Sequence, residues 1–412
     1  MKIDIDRTGL EPARLERIGA HLDRRYLDPG KLPCYDVAVL RRGRLAYRRM
    51  AGLANVETGQ PVADDTIFRI YSMTKPVTSV ALMQLWERGL FQLDEPVARH
   101  LPEWAEGHRV WISGKGADMV TEPANRAISF RDLLTHTAGL TYGAGLLELG
   151  VPSEGPVDDI YAEAGIGNDL AADLDELVAR LARVPLRYQP GERWMYSIAT
   201  DVCGALVQRL SGQSLPDYFQ EHIFAPLGMT DTAFHVPREK AGRFAANYIR
   251  TPSRLLQPIE FPLTADFFNP PAGPSGGGGL VGTMADYIRF AEMLRSGGAL
   301  DGARVIGKRT LELMGANHLK GGRTLQDMAF GLFAEAVYAG AGFGLGFAST
   351  VDPIAAGSIA RADRYWGGAA STYFWFDPEA DLSVVFMTQL IPSNTYDLRR
   401  QLKQLVYAAI ED

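Results

Sequence analysis

The chain has 412 residues, enough for two domains or for one large domain with an insertion. Its 46% hydrophobic and 22% charged residues describe an ordinary globular protein with a sizeable core. A net charge of −7 argues against nucleic acid or an anionic membrane as the main partner, and no uncharged apolar run reaches membrane-spanning length.

The first predicted element is an amphipathic helix over residues 11–26, with Leu15, Ile18 and Leu22 at helical spacing. "YDVAVLRRGRLAYRRMAGLANV" follows as two strands turning at Arg42-Gly43. "DTIFRIYS" reads as a short strand leading into "MTKPVTSVALMQLWERG", apolar on most sides from Val77 to Trp86 and closed by Gly89 as a buried helix would be. Residues 91 to about 205 are rich in loops and helical patterns, without a clear alternating strand. "STYFWFDPEADLSVVFMTQL" is a second hairpin, turning at Asp377-Pro378-Glu379, and "TYDLRRQLKQLVYAAIED" is a terminal helix. Sheet elements at both ends with helices between them predict an α/β (α+β) protein. Residues 1–90 and 206–412 form one domain, and 91–205 form a mainly helical second one. Cys34 and Cys203 lie far apart and outside metal-ligand spacing, so they read as unpaired thiols. With no apolar signal core in the first 26 residues, the chain reads as cytoplasmic.

Two serines compete for the role of nucleophile. "GPSGGGG" at 273–279 contains G-x-S-x-G, which in serine esterases sits on a sharp strand-to-helix turn. The preceding "FFNPPAGP" carries three prolines, which disqualify a central strand, and four glycines follow where a helix would have to start. Ser275 therefore reads as part of a turned glycine loop. Ser72 and Lys75 form the chain's only S-x-x-K. Positions i and i+3 share a helix face, so the amine can reach the hydroxyl, and a neutral lysine can take the serine's proton. Alone, the tetrapeptide also fits a helix N-terminus with a capping serine and a solvated lysine. Pro76 biases Lys75 away from helical geometry, which predicts a helix beginning near Pro76 with Ser72 in the turn before it.

Two further stretches keep company with this motif: "PGERWMYSIATD", carrying Tyr196, and "RYWGGAAST", carrying Trp366-Gly367-Gly368 just before a strand. With "ISFRDLLTHTAGL", "FAPLGMTDTAF" and "GGGGLVGTMADYIRFAEMLRSGG", they make the chain resemble the serine β-lactamase-like family from about residue 10 to the end. Within it, the resemblance is to the family VIII carboxylesterases related to class C β-lactamases. The resemblance implies an antiparallel sheet flanked by helices plus a helical domain, as in penicillin-binding proteins. It also implies Ser72 as the acylated nucleophile, Lys75 as its base partner and Tyr196 as the proton shuttle. The backbone N–H groups of Ser72 and Ala369 would form the oxyanion hole, with Gly367 and Gly368 letting the strand approach the ester. Ile198 stands where β-lactamases carry asparagine, and Trp366 where they carry the lysine of K-T-G. Both changes suit an uncharged ester better than a penicillin, whose carboxylate wants a cation.

The remaining candidates are weighed against plainer roles. His136 in "LLTHTAGL" equally fits a helix C-terminus running into a glycine turn. Tyr142, Tyr373, Phe374 and Trp375 fit an acyl pocket or a strand core. No H-x-x-x-H or C-x-x-C occurs, so no metal is expected, and no cofactor is implied. The reading is a serine carboxylesterase acting on small esters through an acyl-enzyme, with its oligomeric state open. The alternatives are an acyltransferase, an amide (D-peptide or β-lactam) hydrolase on the same scaffold, or an inactive binding relative.

Overall fold

A computed structural model describes residues 2–143, 155–167, 173–253, 255–259, 267–329, 338–393 and 395–412. The chain opens with helix α1 (Pro12–Leu22), continued by a wider turn to Leu27. Strands β1 (Cys34–Arg41), β2 (Arg44–Asn55) and β3 (Gln60–Pro61) follow. The β1–β2 turn falls at Arg42 and Gly43, as the sequence predicts, both with positive φ (55° and 72°). Strand β4 (Ile67–Arg69) leads into helix α2 (Thr74–Glu87), which ends just before Gly89 at φ 76°.

The middle of the chain carries α3 (Phe130–Leu134), α4 (Leu174–Leu181) and α5 (Ala199–Ser211), as the helical reading expects. It also carries a hairpin that periodicity did not reveal, β5 (Arg109–Ser113) with β6 (Val120–Pro123). Most of that hairpin's side chains face solvent, so no buried face imposes an alternating pattern. Strand β7 (Val281–Thr283) and helix α6 (Met284–Arg295) follow the glycine run. The chain closes with β8 (Ala341–Phe343), β9 (Ala348–Thr350), β10 (Arg364–Gly367), β11 (Tyr373–Asp377), β12 (Leu382–Met387) and α7 (Leu398–Tyr407).

Among the described residues, strands from both chain ends join one antiparallel sheet of eight, in the order β8-β9-β10-β11-β12-β1-β2-β3. The joint is β1 against β12, with Ala38 opposite Val385. Both faces of this sheet are covered. Leu382, Val384 and Phe386 pack with Leu15, Ile18, Leu402 and Val406 of the two terminal helices. Val385 and Met387, pointing the other way, join the larger core containing α2, α5 and α6. The period of two is thus present in β11 and β12, but both sets are apolar, as burial on two sides requires. Tyr373, Phe374 and Trp375 are buried in this layering, which gives them the core role. Strand β4 lies outside the large sheet and pairs with β7. That pairing sets the end of the glycine run beside the start of α2.

Cys34 and Cys203 are both buried and unbridged. Among the described residues, no helix is long and apolar enough to cross a membrane.

Candidate active site

Ser72 occupies a tight 3-10 turn (Tyr71–Met73) that runs directly into α2. The helix begins at Thr74, two residues earlier than Pro76 predicts. Proline is tolerated there because a first-turn residue has no intrahelical acceptor for the N–H it lacks. Ser72 still lies before the helix proper, as expected. Tyr71 has φ 44°, an unfavourable left-handed conformation for a bulky residue. The surroundings hold the turn in place: Ile70 N–H donates to the Leu280 carbonyl, Leu280 N–H donates to Thr74 Oγ1, and Tyr287 O–H donates to the Met73 carbonyl. Such strain persists only where neighbouring contacts over-determine it.

Lys75, one turn on, is 1% exposed. Its Nζ lies 3.1 Å from Ser72 Oγ and donates to the Gly277 carbonyl at 2.6 Å. Nζ also sits 4.6 Å from the centre of the Tyr196 ring and 5.5 Å from that of Tyr142. Tyr196 comes from an irregular segment before α5, fixed on both sides by backbone bonds. Met195 N–H donates to the His136 carbonyl, and Ile198 N–H to the Thr141 carbonyl. Trp194, His136, Tyr142 and Trp366 surround the Tyr196 ring at centroid distances of 5.0–5.9 Å. The Trp366 indole N–H donates to Tyr196 Oη at 3.4 Å. Ser72, Tyr142, Tyr196 and Ala369 are partly exposed, whereas Lys75 and His136 are buried behind them. Burial pushes the Tyr142 phenol well above its ordinary pKa, and Tyr196 and Asp201 push it the same way.

Trp366 and Gly367 end β10, and with Gly368 they lie just before β11 at Tyr373, as the sequence predicts. The two glycines after Trp366 are dictated by packing. A Cβ on Gly368 would lie 2.4 Å from the Ile70 carbonyl oxygen, and one on Gly367 would lie 2.3 Å from the Arg399 guanidinium. The close approach at Gly368 is therefore to the turn that carries Ser72. The Arg399 side chain, from α7, donates to the carbonyls of Gly368 and Thr372 and secures this strand end. Among the described residues, the Ala369 N–H has no acceptor. Ile198 is 3% exposed, packed in the larger core at the start of α5, and offers a substrate little surface.

Ser275 is elsewhere in role though not in space. It lies just before the turn of Gly276–Gly278 and donates from Oγ to Asp201 Oδ1 at 2.5 Å. Among the described residues, no strand enters it and no helix leaves it, which does not fit the nucleophile elbow suggested by G-x-S-x-G. His136 sits just beyond α3 at φ 55°, fully buried, with Nδ1 3.2 Å from Ser197 Oγ. Burial first, and then the Lys75 charge, hold its pKa well below the ordinary imidazole value, so it packs behind Tyr196 as a neutral ring. Among the described residues, no cluster of three or more His, Cys, Asp or Glu side chains is arranged to hold a metal ion. Residues that sequence reasoning passed over are Asp201, Tyr71 and Arg399. Asp201 was visible in "YSIATD" but carried no spacing signal, because its partner is 74 residues away.

A buried lysine on a serine, beside a tyrosine and a glycine-edged strand, defines a serine hydrolase of the β-lactamase and penicillin-binding-protein fold. The Beta-lactamase family profile matches residues 20–409, and the chain belongs to that family, in its esterase branch. Esterase EstB of Burkholderia gladioli is 36% identical over 85% of this chain and 84% of its own. Acyltransferase calJ of Penicillium decumbens is 31% identical, covering 87% and 84% respectively. Among solved structures, EstCE1, described as a hydrolase with promiscuous acyltransferase activity, superposes with a TM-score of 0.78. Its identity is 28%, over 96% of this chain and 99% of that one.

Proposed function

We propose that this protein hydrolyses small carboxylic esters through an acyl-enzyme on Ser72, with Lys75 as base and Tyr196 as proton shuttle. The observation that carries the reading is the 3.1 Å contact between Lys75 Nζ and Ser72 Oγ, made by a lysine that is 1% exposed. As the Ser72 oxygen bonds to the ester carbonyl carbon, its proton passes to neutral Lys75. The N–H groups of Ser72 and Ala369 receive the developing oxyanion, a contribution of about 3 kcal/mol for each such donor. Collapse breaks the bond to the alkoxy oxygen, which takes a proton by way of Tyr196 and leaves as the alcohol. Water then repeats the cycle on the acyl-serine.

Trp366 makes one wall of the cleft neutral where a β-lactam carboxylate would need a cation. Losing one hydrogen bond to a charged group costs roughly 1.5–3 kcal/mol, or about ten- to a hundredfold in rate. The test is kcat/KM for p-nitrophenyl butyrate against nitrocefin on one preparation. The ester should win by orders of magnitude, and comparable values would overturn the role given to Trp366. A pre-steady-state burst of p-nitrophenol would register the acyl-enzyme.

A second reading, transfer of the acyl group to an alcohol, draws on calJ and on the description of EstCE1. It shares the first half-reaction, and competing methanol with water for the acyl group separates the two. The division into a domain from both chain ends and a helical domain over 91–205 belongs to the same proposal. It is supported by the sheet that joins strands from the two ends. The two free thiols suit a reducing compartment, which favours a cytoplasmic setting.

A further inference from the structure

Asp201 has no part in the chemistry just described, yet it stands directly behind the base. It occupies the third position of α5 and is 3% exposed. Its Oδ1 accepts from Ser275 Oγ at 2.5 Å and from the Gly277 N–H at 3.0 Å. A buried carboxylate is costly unless compensated. Burial raises the Asp201 pKa above the ordinary carboxylate value, and the Ser275 hydroxyl, Lys75, the Gly277 N–H and the backbone at the start of its own helix pull against that rise.

The residue that Asp201 grips by its N–H presents its carbonyl to Lys75. A neutral amine has two N–H groups and one lone pair. With one N–H committed to the Gly277 carbonyl at 2.6 Å, the lone pair is left free to face Ser72 Oγ at 3.1 Å. The glycine loop can press this close only without side chains. A Cβ on Gly277 would lie 2.4 Å from Asp201 Oδ2, and one on Gly276 2.9 Å from the Thr200 carbonyl oxygen. Thr78 Oγ1, one turn beyond Lys75, donates to the Gly276 carbonyl at 2.6 Å and ties the loop to α2 as well.

We propose that Asp201 is a positioning residue for Lys75: through Ser275 and Gly277 it fixes the carbonyl that orients the amine, and it places a buried carboxyl group behind that amine. This rests on Ser72 and Lys75 being nucleophile and base. The titratable groups facing Asp201 are Lys75 from α2, Tyr142 from the loop after α3, and Cys203 from its own helix. The glycine loop contributes dipoles only.

Asp201→Asn keeps the shape and one acceptor oxygen but removes the charge. Its pH profile for p-nitrophenyl butyrate should show the acid limb of kcat/KM moved about one unit toward lower pH, because the ammonium loses an opposite charge. Asp201→Ala should lower kcat by about a hundredfold while KM stays within about threefold, since Asp201 does not touch substrate. A purely structural role would lower Tm and the folded fraction but leave the limb of Asp201→Asn in place, and that result would overturn the proposal. Fluorophosphonate labelling of each variant separates the two levels. Label absent from Ser72 of the parent enzyme would overturn the site assignment itself. Label on Ser72 with an unmoved limb would overturn the role of Asp201 alone.

Discussion

The turn carrying Ser72 and the loop carrying Ser275 show how differently one residue type behaves in two settings. Ser72 has a lysine as neighbour, a strained residue before it and a helix after it. Ser275 has a carboxylate as neighbour, no helix and no base. Hydrogen-bonding to a carboxylate does not activate Ser275, because a carboxylate of ordinary or moderately raised pKa is a weak base toward an alcohol. The same bond does anchor the loop, and the loop in turn supplies the carbonyl that receives Lys75. One serine sits against the lysine, and the other holds the loop that receives it.

The largest expected effect comes from exchanging the two roles. Ser72→Ala should lower kcat by more than about a thousandfold, whereas Ser275→Ala should keep it within about tenfold. Peptide mapping of a fluorophosphonate adduct on Ser275 would break the comparison outright. Lys75→Arg follows, with a loss of about a thousandfold, because arginine stays charged and cannot accept the serine proton. Activity of the parent should rise with pH through neutrality, and an active Lys75→Arg enzyme with the same profile would contradict the base assignment.

Next in size is Gly368→Ala, whose Cβ must displace the Ile70 carbonyl at 2.4 Å and so separate the β10 end from the Ser72 turn. A loss of about a hundredfold in kcat is expected, the cost of misplacing one oxyanion donor. Trp366→Phe removes the 3.4 Å indole bond to Tyr196 and trims the ring that packs on it, and should cost less than about tenfold in kcat. The smallest effect concerns His136, which stays neutral because its pKa is lowered in the folded protein. A lowered folded pKa means that the unfolded chain binds the proton first. Stability is therefore fully present above the unfolded value of about 6.5 and declines as pH falls below it. His136→Gln should flatten that decline in a pH series of thermal melts while leaving the acid limb of activity unmoved.

Much of this was legible in the residues because the signals are local. The Arg42-Gly43 turn, the helix closed by Gly89, the terminal hairpin and the S-x-x-K pair depend on neighbours within a few positions. Local steric rules and helical spacing act at that range whatever the rest of the chain does. The exclusion of Ser275 was equally local, resting on prolines before it and glycines after it.

What the tertiary structure alone decided are the contacts that join distant segments. Asp201 meets Ser275 across 74 positions, Lys75 meets Gly277 across 202, and Arg399 meets Gly368 across 31. The start of α2 moved from Pro76 to Thr74 because packing at Thr74 and Met73 overrides the bias that a proline places on its predecessor. The exposed β5–β6 hairpin stayed hidden because no buried face gave it a period. Local propensity fixes which residues turn, coil and pair at short range. Which serine finds a base, and which finds a carboxylate, depends on chain closure between segments whose order in the sequence carries no trace of their distance in space.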